Sequence, residues 1–152
     1  MSLLALLIVF GNAQAIEYAQ MLSIDTLVHE SDEVAQGTVR HTSSEWGSDG
    51  LIYTRVSLDT NNSLQRWNDS TVTFLVPGGT VDDVELTIPG GPQYELGDEV
   101  LVFLSGERLL GLGQGSFRVE EGIATRTLGA SVEQTSVRSV FGDPHEARSC
   151  TR

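Results

Sequence analysis

Apolar and polar positions change their period along this chain, and each change marks an element. From Ala19 to Asp32, Met21, Leu22, Ile24, Leu27 and Val28 recur at helical spacing, with Ser23 in place to cap and Asp25 in the first turn. A short amphipathic helix is predicted. From Val34 the period becomes two: Ala35, Gly37 and Val39 alternate with Gln36, Thr38 and Arg40, which reads as a strand with small residues on one face. His41 to Gly50 is polar and rich in Ser and Gly, so a loop carrying Trp46 is expected.

The clearest alternation follows, with Ile52, Thr54, Val56 and Leu58 against Tyr53, Arg55, Ser57 and Asp59, the pattern of a half-buried strand. Asn61 to Ser70 reads as a connector. Val72, Phe74 and Val76 then alternate up to Pro77-Gly78-Gly79, and Val84, Leu86 and Ile88 up to Pro89-Gly90-Gly91-Pro92. Each Pro-Gly-Gly is expected to stop a strand. Val100 to Leu104 is apolar without a break, as in a strand covered on both faces, and should be central. In the strand expected over Leu109 to Val119, Gly111, Gly113 and Gly115 form a bare stripe that permits close approach or a bend. Ile123 to Leu128 is expected to add an edge strand, and residues 131–152 are expected to form a polar, frayed tail. The fold class predicted is all-β, a five- or six-stranded OB-like barrel over residues 16–130 with a short N-terminal helix.

Composition narrows the function classes. With 152 residues and 39% hydrophobic positions, one core is expected, burying roughly two thirds of the unfolded surface. The chain has no Lys, which excludes a Lys nucleophile, a Schiff base and a P-loop. A net charge of -12 argues against nucleic acid and anionic membrane surfaces, because affinity for phosphates comes from Lys and Arg. The start of the chain has an apolar run from Leu3 to Phe10, then Gly11-Asn12 and Ala13-Gln14-Ala15, which is the order of a secretory signal. Cleavage after Ala15 and a secreted or periplasmic location are expected, with no membrane insertion after processing, since the run is too short to span a bilayer. Cys150 is the single Cys, so no disulfide within the chain is possible.

The order of elements resembles the netrin-like module, the OB-type barrel shared with tissue inhibitors of metalloproteases. The residues that carry the likeness are Val34 to Val39, Tyr53 to Val56, Thr71 to Gly79 and Leu96 to Phe103. The chain looks closest to bacterial secreted proteins of unassigned function in which this pattern is followed by a Gly-Gln-Gly-Ser-Phe-Arg-Val stretch, here Gly113 to Val119. In those inhibitors an N-terminal Cys chelates the protease zinc, whereas the mature terminus predicted here is Ile16, so the resemblance implies the fold and not the activity.

Candidate chemistry is sparse. His29, His41 and His145 have no metal-ligand spacing, and no Gly-x-Ser-x-Gly elbow is present, so no catalytic residue, metal or cofactor is assigned. Asp82-Asp83 is the acidic pair best placed to contribute to a calcium site, but it reads more simply as solvated turn acids. Aromatic and Arg residues on loops are the stronger signal, because Trp, Tyr and Arg make binding anchors. A binding surface is expected from Trp46, Tyr53, Trp67 and Arg108 on a noncatalytic module whose partner is a protein or a small extracellular ligand. The alternatives are a secreted protease inhibitor, a hydrolase using a carboxylate pair such as Asp82 and Asp83, and a domain of a larger extracellular protein.

Overall fold

The computed structural model describes residues 21–64 and 70–141. The expected cleavage site, Trp67, His145 and Cys150 lie outside the described residues. Helix α1 spans Ile24–Glu30, and the Ser23 side chain accepts from the Thr26 N–H at 3.1 Å. It ends at Ser31, whose extended backbone hands the chain to the sheet through a 2.8 Å bond from Asp32 N–H to the Leu104 carbonyl.

The strands are β1 Glu33–Trp46, β2 Ile52–Leu64, β3 Thr71–Pro77, β4 Gly79–Val81, β5 Val84–Leu86, β6 Glu99–Ser105, β7 Arg108–Leu109, β8 Ser116–Glu120, β9 Ile123–Leu128 and β10 Ser131–Ser136. The main sheet runs β1-β2-β3-β7-β6-β8-β9-β10, and a further β1–β6 pairing closes its first five strands into a barrel. Two register shifts, at Gln36/Gly37 and Val39/His41, bend β1 so that one strand can serve both neighbours. This is the all-β barrel expected, with β8, β9 and β10 continuing outward from β6.

Strand β6 explains its own unbroken apolar run. Val100, Val102 and Leu104 enter the barrel core with Val56, Leu58 and Phe74. Leu101 and Phe103 face the other way, into a second core with Leu27, Phe117 and Val119. Both faces are dry, so a two-residue alternation would have left a polar side chain buried on one of them. Full burial of a Leu or Phe stabilises by about 1.5–3 kcal/mol, and β6 contributes to two cores at once.

Several expectations need correction. The polar stretch from His41 is strand, not loop: β1 continues to Trp46 because β2 pairs with it as far as Ile52, and side chains facing water need no apolar partner. Strand β2 likewise continues through Leu64 into the expected connector. In place of one strand over residues 84–88, β4 and β5 form a two-stranded hairpin with Asp82 at φ 52° in its turn.

The glycine stripe is not a strand face. Gly111 adopts φ 62° and Leu112–Gly115 is a 3-10 turn, where a Cβ on Gly115 would stand 2.4 Å from the Leu110 carbonyl oxygen. Residues 131–141 are ordered as β10 and a last helix, α2 Val137–Phe141, whose Val137 and Val140 are buried in the second core. The frayed tail is therefore corrected over that span.

Candidate functional site

The candidate site is the barrel end formed by the β1–β2 turn. Gly47 N–H donates to the Leu51 carbonyl at 2.7 Å, which sets Trp46 opposite Ile52. Asp49 then organises the turn: its carboxylate accepts from Leu51 N–H at 3.1 Å and from the Tyr53 hydroxyl at 2.7 Å. Arg108 reaches the same place from another part of the chain. It pairs with Leu75 of β3, beside β2, and its guanidinium lies 5.3 Å from the Tyr53 ring centroid.

The expected residues thus separate by role. Tyr53 and Arg108 are brought together, but Tyr53 is only 8% exposed and acts as a floor rather than as an anchor. Trp46 is 51% exposed at the end of β1, with Leu51 also exposed across the turn. Alternation along the strands sends Trp46 to the face opposite Tyr53, so these two aromatics do not form one surface.

The Tyr53 hydrogen bond, helped by Leu51 N–H and the nearby Arg108 charge, holds the Asp49 carboxyl below the usual carboxylate range. The same hydrogen bond and partial desolvation raise Tyr53. A carboxyl whose folded pKa is depressed supports the turn above its unfolded pKa, and that support is lost as pH falls through the folded value. In an acid titration the Leu51 amide proton should therefore move with a midpoint below that of an ordinary carboxyl, and Asp49→Asn should abolish the transition. A midpoint at or above the ordinary value would contradict this account of the turn.

On the Trp46 face a cleft of about 270 Å³ opens, bounded by Thr42, Ser44 and Thr54 on the sheet and by Glu85, Thr87 and Gln93 on the crossing segments. Ser44 and Trp46 lie two residues apart on one face of β1. Pro77-Gly78-Gly79 makes this cleft possible. Gly79 has φ 129°, and a Cβ there would stand 2.4 Å from both the Ser44 and Thr54 hydroxyl oxygens. Only Gly lets β4 cross so close to the sheet. Tyr94 forms the inner wall, packing edge-on against Phe74 at 5.5 Å and sharing a 2.7 Å hydrogen bond with Ser116. Burial pushes its hydroxyl pKa strongly upward.

This cleft is not legible in the sequence, because its walls come from separate segments of the chain. Asp49 beside Gly50 is recognisable in the sequence as an acidic turn former, but its Tyr53 hydroxyl partner and the Arg108 charge behind it are not. Asp82 and Asp83 are exposed turn residues. Among the described residues no three of His, Cys, Asp and Glu converge as a metal site. No protein-family model, curated protein or solved structure matches this chain.

Proposed function

We propose that the chain is an exported, noncatalytic binding module that engages a protein or small extracellular ligand at the Trp46 end of the barrel. One observation carries this reading. A large aromatic side chain stands half exposed on a turn that Asp49, Tyr53 and Arg108 brace from behind. Trp is among the residues enriched at binding hot spots, and a braced support lowers the ordering cost of using it. Leu51 extends the apolar surface across the turn, and the cleft beside Ser44 supplies polar specificity.

The test uses immobilised full-length protein and a secreted or periplasmic fraction from the source cells. Retention of a specific component should fall at least tenfold in the double variant Trp46→Ala, Leu51→Ala. Val132→Ala, which truncates a still more exposed apolar residue on β10 outside the barrel, should leave retention unchanged. Equal retention by all three proteins would refute the placement of the site.

A further inference from the structure

The hydrogen bonds around the cleft beside Ser44 fix where three of its hydroxyl protons point. Thr54 Oγ1 donates to the Gly78 carbonyl at 2.8 Å, and this uses its single O–H. Its 3.1 Å contact with Ser44 must then be donated by Ser44, whose oxygen is left with lone pairs alone. Across the cleft Thr87 Oγ1 donates to Glu85 Oε1 at 3.3 Å, so that hydroxyl too is left as an acceptor beside a carboxylate. The described lining residues include this one carboxylate and no Arg, Lys or His.

The group formed by Ser44, Thr87 and Glu85 therefore presents acceptors, beside the Gln93 and Thr42 side chains, which also carry donors. A guest rich in donors and poor in acceptors completes it, and a guanidinium, with five N–H donors and no acceptor, is the side chain that best fits this requirement. Trp46 on the same strand face offers an indole on which a cation can stack. The wider field agrees, since the chain carries -12 and Arg40, Arg55, Arg118 and Arg126 are each already bound to a carboxylate.

We infer that the cleft between Ser44, Thr54 and Glu85 is a receptor for a cationic side chain, an Arg in particular, projecting from a protein partner. The inference rests on the binding-module reading above and gives its ligand a charge.

The experiment follows amide and indole resonances of the 15N-labelled full chain during titration with acetyl-Gly-Arg-Gly-amide. The matching citrulline peptide, nearly the same shape but neutral, and a neutral disaccharide serve as the other two probes. The Arg peptide should shift Trp46, Ser44, Thr54 and Gly79, bind at least fivefold more tightly than citrulline, and weaken with added salt. Glu85→Gln, an isosteric change at an exposed position, should remove at least fivefold in affinity, as should Trp46→Ala. Equal binding of the Arg and citrulline peptides, or of the disaccharide at the same resonances, would overturn the cationic guest while leaving a binding site at this barrel end. Absence of shifts with the Arg peptide, or affinity unaltered by Glu85→Gln, would overturn it as well.

Discussion

Arg126→Met should lower the unfolding free energy by about 3 kcal/mol, the lower end of the range for breaking a buried ion pair from one side. Arg126 is 3% exposed on β9, and its guanidinium joins segments that are far apart in the chain. Nε donates to Glu133 Oε2 at 2.8 Å, while the terminal nitrogens reach Glu133 again, the Gln114 carbonyl of the 3-10 turn and the Leu22 carbonyl before α1. It also lies 4.9 Å from the Phe117 ring centroid. Met would keep much of the packing volume and leave those acceptors without their donor. The Glu133 side chain retains about a third of its exposure, which is why the loss should not reach the top of the range. With an m value near 2 kcal/mol/M, the urea midpoint should fall by roughly 1.5 M. A second change, Glu133→Leu, should recover part of the loss by removing the stranded charge. If Arg126→Met shifts the midpoint by less than about 0.5 M, the buried guanidinium is not what fastens the N-terminal segment, the glycine turn and β10 together.

Gly37→Ala should be comparably severe for a different reason, a loss of about 3 kcal/mol from overpacking against backbone. A Cβ at Gly37 would stand 2.3 Å from the Asp59 carbonyl oxygen and 3.0 Å from the Thr60 Cα. Gly37 pairs with Thr60 of β2 on one side and Val100 of β6 on the other, so neither strand can retreat without opening the barrel. Gly50→Ala is the control: its φ of 78° is also unfavourable for Ala, but nothing lies within 4 Å of its Cβ position. That variant should cost only about 1 kcal/mol, the left-handed backbone penalty. Denaturant unfolding of both, followed by circular dichroism, gives the comparison. Equal losses would show that the barrel closes with slack at Gly37.

The candidate site was legible only in part. Trp46 and Arg108 were identifiable as residue types suited to binding, because the preference of interfaces for Trp and Arg belongs to the side chains themselves. Tyr53 could not be recognised as a floor, since Arg108, which covers it, lies 55 positions further along the chain. The acceptors of the cleft were hidden for the same reason: Thr54 must find the Gly78 carbonyl before its proton has a direction.

Local pattern by itself determined α1, the paired stretches around Val34, Ile52, Val72 and Ile123, and the continuous burial of Val100 to Leu104. Side-chain period and capping are properties of neighbouring residues, and neighbours are what a sequence displays. Only the tertiary structure decided that the polar residues 41–46 are strand, that Gly111 to Gly115 turns, and that residues 131–141 dock. Those segments owe their form to partners distant in sequence: backbone pairing with β2 and β9, a carbonyl too close for any Cβ, and a second core waiting for Val137 and Val140.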